Sequence, residues 1–162
     1  MFNTLKKLLL GNSEQKENAE NDIERVNNKQ LKIQLATCSI FLEIAYADDN
    51  FSDVERQTII DIMKNLFSLE EEYVKELIQH AEELIKKSVS LYEFTEIIDH
   101  NFSHDEKYDI IENVWRIIYA DNKLDQYEEY FAKKVSNNLN IPHKELIEAK
   151  LLVKEELKKA TS

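Results

Sequence analysis

A chain of 162 residues with a single glycine and a single proline has very few ways to turn sharply. Average usage would supply about 11 glycines and 8 prolines at this length. Tight hairpins need residues that accept positive φ, and phosphate-cradling loops need glycine where the backbone approaches a ligand. Both devices are nearly excluded, which leaves an all-α fold. The length suits one domain, and about 70 % of the unfolded surface can be buried at this size, so the core needs no covalent staples. Cys38 is the lone cysteine, which removes intramolecular disulfides and cysteine-based zinc sites. With 21 basic and 32 acidic residues the formal charge is −11, opposite to what a phosphate-neutralising nucleic-acid binder carries. No apolar run approaches the roughly 20 residues of a spanning helix and no cleavable signal peptide is recognisable, so the expectation is a cytoplasmic protein.

Three regions follow from composition. Residues 1–10 form a short amphipathic segment, with Phe2, Leu5, Leu8, Leu9 and Leu10 around Lys6 and Lys7. It reads as a short docking helix or a frayed terminus, or as a weak contact with an acidic membrane surface. Residues 11–28 are a polar linker or solvated helix, with only Ala19, Ile23 and Val26 apolar after Gly11. Residues 29–160 form the domain. There the apolar residues recur at three- and four-residue steps in seven successive stripes, which predicts a compact bundle of about seven helices. The stripe Ile111, Val114, Trp115, Ile118 and Tyr119 is the most apolar, and its helix is expected to be central. Helix starts are marked by capping boxes, a Ser or Asp followed three residues later by Glu: Ser52–Glu55, Ser68–Glu71, Ser90–Glu93, Ser103–Glu106 and Asp125–Glu128. Pro142 is placed in the first turn of the last helix.

One stretch occurs twice. Ile44 to Glu55 returns 73 residues later as Ile117 to Glu128, with Tyr46, Ala47, Asp48 and Glu55 identical to Tyr119, Ala120, Asp121 and Glu128. Leu66 falls opposite Leu139, so the helical phase persists. The expected architecture is therefore two related helix–acidic loop–helix halves. Each copy puts an Asp at a helix C-terminus, where it opposes the macrodipole by roughly 0.3–1 kcal/mol. An unfavourable charge kept twice points to a partner: a cation, a basic side chain or backbone amides. Carboxylate oxygens alone suit hard ions, so Asp48, Glu55, Asp121 and Glu128 are candidate ligands for Ca²⁺, Mg²⁺ or Mn²⁺. The bland reading makes the glutamates capping-box members and the aspartates acceptors in Asx turns. An EF-hand is excluded, because its glycine position holds Asp53 or Gln126 and its bidentate-glutamate position Ile59 or Ala132.

At this repeat the sequence resembles the TerB-like family, associated with tellurite resistance and chemical stress. The family pattern is Ala-Asp-Gly, a short acidic loop and a Glu opening the next helix, given twice in an all-helical domain. Ala47-Asp48-Asp49 through Glu55 matches the first occurrence and Ala120-Asp121-Asn122 through Glu128 the second. The tail from Tyr127 through Pro142-His143 to Ala149-Lys150-Leu151 is also similar to stand-alone bacterial members. The similarity runs from about Gln34 to Leu152. It implies a divalent-cation site in the acidic loops and a role beside membrane-linked stress machinery, with protein partners. The family's Gly is Asp49 in one copy and Asn122 in the other, so the first turn is expected to shift by a residue, since Asp takes the left-handed conformation less readily than Asn. No His-Pro-Asp triplet is present, which removes direct co-chaperone activity.

No enzyme is legible. His100 and His104 have the spacing of a helical zinc pair, but Ser103 should start a new helix between them. Cys38 sits on an apolar stripe as a small hydrophobe. The aromatics Tyr46, Phe51, Trp115, Tyr119, Tyr127 and Tyr130 cluster around the repeat and read as core, with a ligand cleft between the halves as the alternative. The expectation is a non-enzymatic, cation-binding stress-response domain. Its alternative is a metal-free adaptor that takes a partner's helix in an apolar groove.

Overall fold

The computed structural model describes residues 21–47, 49, 51–87, 89–121 and 126–160, the side chains of 21–27 and 126 excepted. The segment 1–10 and the first half of the linker lie outside the described residues. Seven helices, and no strand, occur among the described residues: α1 Asn21–Ala45, α2 Asp53–Phe67, α3 Glu71–Lys86, α4 Leu91–Asn101, α5 His104–Ile118, α6 Gln126–Asn138 and α7 His143–Ala160. This is the expected all-α bundle.

Its centre is α1 rather than α5. α1 packs on α2, α3, α4, α5 and α6, whereas α5 packs on α1, α2, α6 and α7. From Leu35 to Ala45 only Glu43 of α1 keeps partial exposure. A helix buried all round is apolar all round, and Thr37 and Ser39 are admitted because each hydroxyl donates to the carbonyl one turn back, Ile33 at 2.8 Å and Leu35 at 2.7 Å. Burial pushes the Glu43 carboxyl above its ordinary value, with Lys134 opposing. Burial also pushes the Cys38 thiol far upward, which keeps it protonated and inert.

The helix boundaries show how a chain poor in glycine turns. Ser52 and Ser103 form complete capping boxes with Glu55 and Glu106. Ser90 accepts from the Glu93 amide. Ser68 does not cap α3, contrary to its spacing from Glu71; Glu70 occupies that cap without a side-chain bond. Ser68 instead ends α2 in the left-handed region at φ 55°, and Asn140 does the same after α6 at φ 58°. Beyond each, a six-to-one bond closes the turn, from Leu69 N to Lys64 O at 3.1 Å and from Ile141 N to Ser136 O at 2.9 Å. Pro142 precedes α7, its carbonyl accepting from Glu145 and Leu146.

Two triples of helices pack in the same order: α1, α2 and α3 contact one another pairwise, and so do α5, α6 and α7, with α4 lying against α1 and α6. α1 ends at Ala45 and α2 starts at Asp53; α5 ends at Ile118 and α6 starts at Gln126, each boundary 73 residues on.

Candidate functional site

The two junctions between α1 and α2 and between α5 and α6 hold the residues singled out by the repeat. They begin alike. Tyr46 N donates to Leu42 O at 2.8 Å and Ala47 N to Ile44 O at 3.2 Å; Tyr119 N donates to Trp115 O at 3.0 Å and Ala120 N to Ile117 O at 3.2 Å. In both, the helix tightens over its last turn before the acidic residue. Asp49 then takes the left-handed conformation at φ 60°, its amide bonded to Tyr46 O at 3.1 Å. The first turn therefore does not shift: Asp49 itself adopts the conformation that the resembling family gives to glycine. Asp48 and Asp125 lie outside the described residues. Asp121 is half-buried on the turn after α5.

Glu55 and Glu128 stand in the first turns of α2 and α6, and both are 0 % exposed. Glu55 Oε1 accepts from Ser52 N at 3.3 Å and from Ser52 Oγ at 3.1 Å. Glu106 closes the same kind of box on Ser103, with Oε1 accepting from Ser103 N at 2.9 Å, yet it is exposed, as is Glu93. Capping therefore does not require a glutamate to leave water. Removing a carboxylate from water is costly unless its neighbours compensate it, so burial separates the repeat's glutamates from the other capping glutamates.

Protein cations flank both junctions. Arg56, next to Glu55, lies 5.0 Å over the Phe51 ring and pairs with Glu82 of α3 at 3.1 Å. Phe51 in turn packs on Tyr46, ring centroids 4.7 Å apart. In the second junction the signs are exchanged. Glu129, next to Glu128, accepts from Lys150 of α7 at 3.1 Å, and Lys150 lies 5.3 Å over the Trp115 ring. Lys154 covers Tyr119 at 5.7 Å. Burial raises both tyrosine phenols; Glu82 adds to the rise at Tyr46, while Lys150 opposes it at Tyr119. None of these flanking pairs was legible in the sequence, because Glu82 and Lys150 come from the third helix of each triple, a pairing that only packing makes.

The aromatic reading needs correction. Trp115 is buried, its indole N–H donating to Leu146 O at 3.0 Å, but Tyr127 and Tyr130 are 59 % and 60 % exposed and Tyr46 is 38 % exposed. The stripe that placed Tyr127 inward is satisfied by Phe131, Val135 and Leu139 alone. The histidines behave as expected of surface groups: Ser103 does start a new helix between His100 and His104. His104 pairs with Glu145 at 2.8 Å and His100 with Glu96 at 3.5 Å. Ile59 and Ala132, at the positions an EF-hand would fill with its last ligand, are both core residues.

α2 packs on α1, α3 and α5, and α6 on α1, α4, α5 and α7, so Glu55 and Glu128 ride on helices with different surroundings. Among the described residues no three His, Cys, Asp or Glu side chains converge as a metal-binding group. Asp48 and residues 122–125 lie outside the described residues. The donors offered are carboxylate oxygens, the chemistry of Ca²⁺, Mg²⁺ or Mn²⁺. No helix among the described residues is long and apolar enough to cross a membrane.

The family model described as tellurite resistance protein TerB matches residues 34–151. No curated protein and no solved structure matches the chain.

Proposed function

This chain belongs to the tellurite resistance protein TerB family, and we propose that it is a non-enzymatic stress-response domain whose duplicated junctions take a divalent cation. Asp48 and Asp121 are the proposed ligands, with Glu55 and Glu128 either ligating or fixing the loops. The observation that carries this reading is the complete burial of Glu55 and Glu128, against the exposure of Glu93 and Glu106 in comparable capping positions. The ion would be held by carboxylate oxygens of the duplicated junctions, and the protein would deliver its effect through contacts with other proteins on the cytoplasmic side of the membrane.

Chelator-treated protein titrated with Ca²⁺, Mg²⁺ and Mn²⁺ tests it. An ion at 100 times its dissociation constant adds about 2.7 kcal/mol, which for a chain of this size raises the melting temperature by about 5–10 °C. Asp48→Asn and Asp121→Asn should each reduce the gain. Absence of both calorimetric heat and thermal shift with all three ions removes the cation from the proposal.

A second reading is an ion-free adaptor, favoured by Arg56 and Lys150, which already place a protein cation beside each junction. On that reading Asp48→Asn and Asp121→Asn leave the set of captured protein partners unchanged and alter stability only slightly.

A further inference from the structure

A second feature lies on the last helix. α7 buries Leu146, Ala149 and Val153 against the bundle. On its outward face Lys144, Ile147, Leu151 and Lys154 stand at i, i+3, i+7 and i+10, the spacing of a helix–helix seam, and Lys158 continues the row. Ile147 is half-buried, and the others are exposed. Leu151 at 57 % and its neighbour Leu152 at 51 % are the exposed leucines among the described residues. One leucine in water is ordinary, whereas two in succession beside an isoleucine make an apolar patch. No carboxylate falls in the row, although the chain carries a formal charge of −11. Glu145 and Glu156 turn to α5, where they meet His104 and Arg116. Glu148 and Glu155 edge the row on one side.

We infer that this row docks an acidic amphipathic helix of a partner protein. Such docking gives the protein contacts of the proposed function a location, and rests on that part of the reading and not on the cation. Ile147 and Leu151 supply the apolar centre, and Lys144 and Lys154 bracket it over about 15 Å of helix. A partner helix that meets the centre with apolar residues and each lysine with a carboxylate is complementary in pattern and charge. A second copy of α7 is not. Aligned in parallel, each lysine meets its twin; aligned antiparallel about Leu151, Lys144 meets Lys158 at both ends, and like charges at facing positions repel. An anionic membrane is opposed by Glu148 and Glu155 at the edge of the same face. Lys154 is held over the Tyr119 ring at 5.7 Å, so part of its side-chain freedom is surrendered before docking.

The test uses the full chain in chelator, so that a failure of the cation reading cannot enter it. The probe is a synthetic helical peptide of about four turns, with leucine on its seam and glutamate beside it; a control twin carries lysine in place of each glutamate. The acidic peptide should shift the backbone amide resonances of residues 144–154 and bind about tenfold or more tightly than its twin. Lys144→Glu with Lys154→Glu should invert that preference, a swap that loss of folding cannot mimic. Leu151→Asp should weaken the acidic peptide about tenfold, with circular dichroism confirming that the helices are kept. No binding, equal binding of the two peptides, or resonance shifts away from α7 would overturn the inference. Self-association of the chain in sedimentation that Leu151→Asp abolishes would make a second copy the occupant and overturn it as well. Binding to anionic phospholipid vesicles that Lys144→Glu with Lys154→Glu abolishes, without a peptide preference, would assign the row to a membrane and do the same.

Discussion

The junction after α1 and the junction after α5 begin with the same backbone bonds and place a fully buried glutamate in the next helix, yet their surroundings carry opposite signs. In the first, an arginine follows the glutamate and reaches a carboxylate on the third helix of its triple. In the second, a glutamate follows and is reached by a lysine from the third helix. What is held in common is the buried carboxylate and the opening bonds of the turn; what is free to exchange is the orientation of the ion pair outside it. A position whose only role were surface charge would not be expected to keep its burial while its neighbours swapped sign. The comparison therefore teaches that the glutamate, and not the salt bridge beside it, is the constrained part of the repeat.

The largest expected effect tests that claim directly. Glu55→Ala and Glu128→Ala should each cost about 2–4 kcal/mol in urea unfolding, because each empties a fully buried side-chain position. Glu106→Ala, which loses only an exposed capping bond, should cost about 1 kcal/mol or less. Losses at Glu55 and Glu128 no larger than at Glu106 would break the distinction on which the proposed site rests.

The exchanged ion pairs come next. Lys150 is 17 % exposed and sits over Trp115, whereas Arg56 is 42 % exposed. Lys150→Met should therefore cost about 1–2 kcal/mol and Arg56→Met under about 1 kcal/mol. Added salt should shrink the Arg56 effect more than the Lys150 effect.

The two capping loops differ as well. Asn140 donates to both carboxylate oxygens of Asp99 at 3.2 Å, and Lys107 pairs with the same carboxylate, which holds its pKa below the usual value, chiefly through the Lys107 bond. Folding therefore favours ionised Asp99. Its contribution is complete above the ordinary carboxylate pKa of about 3.9 and is lost as the pH falls through the lower folded value. Asp99→Asn should lower the stability at pH 7 by about 1 kcal/mol, and the difference from wild type should fade in melts below about pH 4. A difference that persists at low pH would assign the loss to packing.

The smallest effect concerns the left-handed turn. Asp49→Gly removes a side chain from a positive-φ position and should stabilise the protein by about 0.5 kcal/mol in thermal melts. The same change at Asn122 sharpens the comparison: a gain of equal size would mean that the second junction makes the same conformational demand.

Particular residues show how far the sequence reached. The capping boxes at Ser52 and Ser103 were legible because the two bonds are local and need no other element. Ser68 has the same spacing to a glutamate and was misread, since the chain uses it to end α2 and not to begin α3; the pattern does not say on which side of the turn the serine lies. Tyr127 and Tyr130 have helical spacing with the core stripe but sit outside it, because three apolar neighbours already fill the available contact. The centrality of α1 was hidden in its Thr37, Ser39 and Cys38, which weaken the apolar signal while being buried by back-bonding hydroxyls and a small thiol. Of the candidate site, Glu55 and Glu128 were found through the repeat, but their burial was not.

Local rules alone therefore determined that this chain is all-helical, where most of its helices begin, and that one acidic turn occurs twice. These properties depend on φ/ψ preferences and on bonds between residues three or four apart, and both are written in neighbouring letters. Which helix lies at the centre, which carboxylates leave water and which cation stands beside each were decided by tertiary packing. Those outcomes depend on side chains brought together from separate helices, 26 residues apart for Arg56 and Glu82 and 21 for Lys150 and Glu129, and the energy of a buried charge is set by everything that surrounds it.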